Sequence, residues 1–162
     1  MSLIRTATIA DLDIISELES LGFPPAEAAS KERLRARLST FPECFWLYEE
    51  DGRILGYVAG GCFNTDILTD EMYADVSFHD PKGRWQMLYS VCTHPDYRHR
   101  GIASKIMKRV EADCRDRGRE GIILTCKEKL IPFYAQLGYQ KEFLSSSTHG
   151  GATWYQMRLP LN

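Results

Sequence analysis

Leu12, Ile15, Leu18 and Leu21 recur at three-residue steps and stop at Gly22, a spacing that predicts an amphipathic helix near the start of the chain. Thr8, with Asp11 three residues on, offers the hydroxyl and carboxylate that satisfy the free backbone donors of such a helix start. Leu3 to Ala7, just before it, reads as a strand. Past Pro24-Pro25 a second helix is expected over residues 26–38. Its apolar stripe of Ala28, Leu34 and Leu38 is thin, which suits a surface helix or a mobile lid.

Phe45 to Tyr48 and Arg53 to Phe63 read as strands on either side of Glu50-Asp51-Gly52-Arg53, and Asp-Gly is a strong hairpin signal. Trp85 to Thr93 forms another strand, closed by His94-Pro95. The clearest helix runs from Ile102 to Cys114, where Ile102, Ile106, Val110 and Cys114 lie four residues apart. Gly121 to Thr125 is a short buried strand, Lys129 to Leu137 a helix closed by Gly138, and Tyr139 to Phe143 with Thr153 to Leu159 a final strand pair. Early hairpins followed by a β-α-β-α-β run predict an α/β (α+β mixed) fold: a central mixed, mostly antiparallel sheet of about seven strands, with helices on both faces.

At 162 residues, 44% of them hydrophobic, the chain is expected to form one domain over residues 1–162. A formal net charge of -2 argues against a dedicated nucleic-acid binder. The longest apolar run, Ile54 to Phe63, is broken by Gly56, Gly60 and Gly61, so no membrane partner is expected. No apolar run follows Arg5 as a secretory signal requires, and a cytoplasmic location is expected. Cys44, Cys62, Cys92, Cys114 and Cys126 are odd in number and widely spaced, which points to reduced thiols and to no metal site.

Chemistry concentrates in Thr93-His94-Pro95-Asp96-Tyr97-Arg98-His99-Arg100-Gly101-Ile102-Ala103-Ser104, a strand end, a short loop and a helix start. A glycine at a helix entry lets backbone approach a ligand, while unpaired N–H groups and the helix dipole favour an anion. Arg98, Arg100, Lys105, Lys108 and Arg109 add positive charge with no carboxylate among them. The residues themselves therefore suggest a phosphate or pyrophosphate site, or else a glycine-kinked turn leading into a solvated basic helix. Neither a P-loop nor a complete Rossmann fingerprint is present.

Arg98-x-x-Gly101-x-Ala103 after a strand ending in His94-Pro95 resembles the pyrophosphate motif of the GNAT superfamily of acyl-CoA N-acetyltransferases. Leu124 to Tyr134 is similar to a segment of its arylalkylamine (serotonin) N-acetyltransferase branch, and Phe41-Pro42-Glu43 and Asp70-Glu71 fall where that branch has related residues. The resemblance implies a single-domain GNAT-like fold that uses acetyl-CoA as co-substrate, without a metal. It implies that the backbone of Val91, Cys92 and Thr93 holds the pantetheine arm and acetyl carbonyl, where the Trp85 and Gly121 strands splay apart. Arg98, His99, Arg100, Gly101, Ile102, Ala103 and Ser104 would wrap the pyrophosphate. Tyr134 would stand near the thioester sulfur and protonate the departing thiolate; a phenol with an ordinary pKa of about 10 is suited to that. Its alternative reading is a packed aromatic beside Phe133. Phe23 and Pro24, in the position of the family's acceptor loop, together with Cys126 and Lys127, are candidate contacts for the second substrate.

The branch carries two histidines that relay the proton of the substrate ammonium, and this chain has Met87 and Tyr89 there. Tyr89 is a candidate catalytic residue through a water route past Tyr89 and Ser90, and a carboxylate or His79 from residues 64–80 is another option. Asp66, Asp70, Glu71, Asp75 and Asp80, with no Lys or Arg from Ile54 through Pro81, would make an acidic lip that attracts cations, or a solvated loop. The implied activity is acetyl transfer to the primary amine of a small molecule, an arylalkylamine or a polyamine, by direct attack in a ternary complex, with the protein a monomer or homodimer. The alternatives are an acetyl-CoA-binding sensor with little catalysis and a protein or peptide amine acetyltransferase.

Overall fold

The computed structural model describes residues 1–161. Seven strands form one sheet in the order β1-β2-β3-β4-β5-β7-β6. They are β1 (Ser2–Thr6), β2 (Phe45–Glu50), β3 (Arg53–Phe63), β4 (Trp85–Thr93), β5 (Gly121–Cys126), β6 (Gln140–Leu144) and β7 (Tyr155–Pro160). The helices are α1 (Leu12–Gly22), α2 (Lys31–Thr40), α3 (Asp70–Ala74), α4 (Ile102–Asp116) and α5 (Ile131–Gln136). Pairing is antiparallel in β1·β2, β2·β3, β5·β7 and β6·β7, and parallel in β4·β5. The expected α/β architecture and its mostly antiparallel sheet are therefore present.

Two compact units divide the chain, and β3, β4 and α4 run through both. The first comprises Met1–Gly60 and Ser90–Arg109. Its core joins Ile15 and Leu18 of α1 with Leu34 and Leu38 of α2 and with Phe45, Trp46, Tyr57, Ile102 and Ile106, all buried. At the β2–β3 turn Asp51 and Gly52 take φ of 51° and 79°, the paired left-handed conformations that a tight hairpin demands and that Asp-Gly tolerates.

α2 starts at Lys31, five residues later than the stripe predicted. Pro24 carbonyl oxygen accepts the amides of Glu27 and Ala28, which folds residues 24–28 into a turn, and the Ser30 hydroxyl then accepts the Arg33 amide as the helix cap. The stripe is thin but buried, because Leu34 and Leu38 are covered together with Arg37.

The second unit comprises Gly61–Tyr89 and the chain from Val110 onward. Phe63, Leu68, Met72, Met87 and Ile123 form its core, with Tyr73, Trp85 and Tyr89 packed against it. Residues 64–80, read as an acidic lip or a solvated loop, hold α3 and a 3-10 turn at Val76–Phe78. Gln156 on β7 anchors that segment: its side chain accepts the Leu68 amide at 3.0 Å and donates to Asp66 O at 3.1 Å. α5 begins two residues later than expected, after a 3-10 turn at Glu128–Leu130.

Candidate active site

In the first unit the site is built on the end of β4 and the entry to α4. Side chains alternate along the end of β4: Ser90 and Cys92 are buried, while Val91 and Thr93 are half-buried. His94 N–H donates to Leu55 O at 2.8 Å and ties the strand end to β3. The His94 imidazole then accepts the Asp96 amide at 3.1 Å and starts the turn that carries Tyr97. Arg53 and Arg100 each place a guanidinium 5.5 Å from the centre of the Tyr97 ring.

Beyond Tyr97 the backbone takes two left-handed steps, His99 at φ 66° and Gly101 at φ 75°. For a residue with a Cβ such a step costs about 1–2 kcal/mol, so His99 is held there by its surroundings. These steps lead directly into α4, whose first-turn amides lack intrahelical partners and lie at the positive end of the helix dipole, a place that favours an anion. No atom lies within 4 Å of where a Gly101 Cβ would stand, so that side of the loop is open to a ligand. Ile102 is buried and anchors the helix; Arg98, His99 and Arg100 are exposed, and Ala103 and Ser104 half-buried. The Arg100 guanidinium binds both Glu50 oxygens at 3.0 Å, which holds the Glu50 carboxyl below its usual range. Arg100 thus offers an anion its main chain, whereas its side chain belongs to β2.

Gly101→Ala tests this cradle. A Cβ is accommodated by space but not by φ, so we expect about 1 kcal/mol of lost stability and about a tenfold weaker binding of acetyl-CoA, measured by thermal denaturation and titration calorimetry. Unchanged affinity removes the loop from the site.

The sequence reading missed Glu19. This side chain of α1 is 3% exposed. Its Oε1 accepts the Ser90 hydroxyl at 3.0 Å and the Tyr57 hydroxyl in a short hydrogen bond, and its Oε2 accepts the Ala29 amide at 2.8 Å. One carboxylate therefore joins α1, β3, β4 and the loop that carries Phe23 and Pro24. Burial, reinforced by Glu19, pushes the Tyr57 phenol up. The available signal was position: Glu19 lies four residues after Ile15, on the apolar stripe of α1. Phe23 closes α1 half-buried, with its amide on Glu19 O at 3.2 Å, and Pro24 is exposed. Cys92 Sγ donates to Leu18 O at 3.0 Å, and burial pushes its thiol up to about 12.

In the second unit Tyr134 projects from α5, 6% exposed, with its ring edge-on to Phe133 and Tyr139 at centroid distances of 5.0 and 6.0 Å. Burial, with smaller contributions from Cys126 and Tyr73, pushes the Tyr134 phenol well above its ordinary value. Cys126 lies 3.5 Å from Met157 Sδ, and burial pushes its thiol up to about 11. The parallel rungs of β4 and β5 run from Trp85–Gly121 to Leu88–Leu124, so Tyr89 lies just past the last of them.

Met87 is wholly buried in the core. The Tyr89 hydroxyl donates to Met72 O at 3.1 Å, and its ring lies 4.7 Å from that of Tyr73. Tyr73 shares a 3.2 Å hydrogen bond with Thr125 Oγ1, and its ring stacks on the His149 imidazole at 5.6 Å and 5°. His149 lies 6.2 Å from Trp154, whose indole N–H donates to His149 O at 2.9 Å; Lys127 Nζ stands 5.8 Å from the Trp154 ring.

Most of the acidic residues of 64–80 are engaged within the unit. Asp66 pairs with Arg158 at 3.0 Å, and Asp70 accepts the Ser147 hydroxyl. Asp75 accepts the Ser77 amide and hydroxyl, and Asp80 accepts the Lys82 amide and the Asn64 side chain. His79 Nδ1 accepts the Cys62 amide at 2.9 Å, which ties this candidate base to the sheet. Among the described residues no three His, Cys, Asp or Glu side chains are grouped to hold a metal ion, and no helix is long and apolar enough to cross a membrane.

Solved structures share this fold. The loading GNATL domain of CurA from Lyngbya majuscula superposes with a TM-score of 0.87 at 14% identity, covering 99% of this chain and 98% of that one. The protein yncA from Salmonella typhimurium, solved with its cofactor acetyl-CoA, gives 0.71 at 17% identity, covering 99% of this chain and 94% of that one. At such identities the likeness speaks for the fold alone, and these neighbours differ in what they do. In sequence, serotonin N-acetyltransferase from Mesocricetus auratus is 25% identical over 132 residues, 80% of this chain. The chain spans 62% of the length of that relative. The model of the acetyltransferase (GNAT) family matches residues 12–139, which include the left-handed loop, the Glu19 knot and Tyr134. The chain belongs to that family.

Proposed function

We propose that the protein moves the acetyl group of acetyl-CoA to the primary amine of a small arylalkylamine, by direct attack of the neutral amine on the thioester in a ternary complex. The observation that carries this reading is the pair of left-handed residues, His99 and Gly101, just ahead of α4, whose first-turn amides suit a diphosphate. In the first unit the main chain of residues 98–104 would hold it, with Val91, Cys92 and Thr93 along the pantetheine arm. In the second unit Tyr134 would protonate the leaving thiolate; burial pushes its phenol up, so the proton is in place at pH 7. The relative in Mesocricetus auratus bears the name serotonin N-acetyltransferase, an activity on an aromatic amine.

An aromatic acceptor is favoured over a polyamine by what residues 64–80 are doing. Asp66, Asp70, Asp75 and Asp80 already accept hydrogen bonds from this chain, whereas Tyr73, Tyr89, His149 and Trp154 form a run of rings. Release of CoA from acetyl-CoA, followed with tryptamine, phenethylamine and spermidine as acceptors, tests the reading. We expect kcat/KM for tryptamine to exceed that for spermidine at least about tenfold, equivalent to about 1.4 kcal/mol. Tight acetyl-CoA binding with no stimulation by any amine overturns the reading in favour of a sensor module.

A further inference from the structure

We propose that His149, on the loop between β6 and β7, is the base that takes the proton of the acceptor ammonium. The proposal rests on the amine acetyltransferase reading above and names its missing group. An alkylammonium with a pKa of about 10.4 is neutral in roughly one part in a thousand or less at pH 7, so the reaction needs an acceptor for that proton.

Neither β4 side chain at the positions in question supplies one. Met87 is an apolar core residue, and Tyr89 directs its hydroxyl proton to Met72 O. The next ring beyond Tyr89 is Tyr73, and the ring on Tyr73 is an imidazole: Tyr89 to Tyr73 is 4.7 Å and Tyr73 to His149 is 5.6 Å, the latter pair within 5° of parallel.

The loop that presents His149 is held in place. Ser147 donates its hydroxyl to Asp70 of α3, the Thr148 amide donates to the same carboxylate at 3.4 Å, and Trp154 closes the loop through its indole N–H on His149 O. Gly150 and Gly151, at φ 63° and 72°, give the chain the left-handed steps it needs to return to β7 immediately after His149. The charged and titratable groups around the imidazole are Tyr73 and Asp70 of α3, Tyr89 of β4 beyond Tyr73, and Lys127 over the far ring, Trp154.

The step balances as follows. The imidazole takes one proton from the ammonium and becomes imidazolium. The freed lone pair forms the C–N bond as the C–S bond breaks, and the thiolate takes the Tyr134 proton. The second amine proton, released as the amide forms, returns the phenol to its neutral state through solvent, and the imidazolium loses its proton to solvent.

The test compares wild type, His149→Phe and His149→Ala with acetyl-CoA and tryptamine between about pH 6.5 and pH 10. Phe keeps a ring on Tyr73 but takes no proton. We expect kcat/KM of both variants to fall about 100-fold near pH 7, with the deficit shrinking as the pH nears that of the amine and with added imidazole restoring part of the His149→Ala rate. Acetyl-CoA affinity, measured by calorimetry, is expected to stay at the wild-type level. An active wild type with a His149→Phe variant that keeps both rate and pH profile overturns this proposal alone. A wild type without amine-stimulated turnover overturns the amine acetyltransferase reading and this proposal with it.

Discussion

Tyr134→Phe is expected to lower kcat about 100-fold at saturating amine, the usual contribution of a positioned acid to a leaving group. The phenol is 6% exposed, and burial pushes its pKa above the ordinary value of about 10, so the folded protein keeps this proton where a free tyrosine would lose it. The sign is decisive for the profile. A raised pKa means that no loss of the acid occurs between about pH 7 and pH 10, and the deficit of the variant is flat over that range. Steady-state kcat against pH for the two proteins checks this. Equal kcat values return Tyr134 to a packing role beside Phe133 and Tyr139, and a deficit that vanishes above about pH 9 assigns the acid to another group.

Glu19→Ala is expected to lower stability by about 3 kcal/mol, because three donors lose one acceptor in the same stroke and each buried orphan costs about 1–3 kcal/mol. For a chain of this length that is about 10 °C in Tm. The Ser90 and Tyr57 hydroxyls and the Ala29 amide are the groups left without the carboxylate, and Ala29 belongs to the loop bearing Phe23 and Pro24. KM for the amine should therefore rise along with the loss of stability. Glu19→Gln keeps the volume but turns a donor toward donors, so about half the effect is expected. Scanning calorimetry of the three proteins checks both expectations, and a Glu19→Ala shift under about 2 °C rejects the knot as a structural tie.

Periodicity carried most of the fold. α1, β4 and the start of α4 lie where the apolar spacing puts them, and Asp51-Gly52 makes its hairpin. α2 lies five residues later than predicted because a prolyl carbonyl and a seryl cap set its start, and neither changes the apolar stripe. The turn into α4 was legible through Gly101, which takes a left-handed step with open space beside it. Its companion His99 was not, for a histidine at φ 66° leaves no mark on composition. Glu19 and His149 were illegible for a common reason. Each acquires its chemistry from neighbours far along the chain, Ser90 and Tyr57 in one case and Tyr73 in the other, and local pattern records only a charge on a helix and a histidine in a loop.

The buried thiols bear on chemical selectivity. A protein that handles a thioester carries a standing hazard: its own cysteines can intercept the acyl group. Here all five are buried, and Cys92 and Cys126 sit so that burial raises them to about 12 and about 11. The thiolate is the form that attacks, and burial disfavours it. Burial thus works against acylation of the protein's own cysteines.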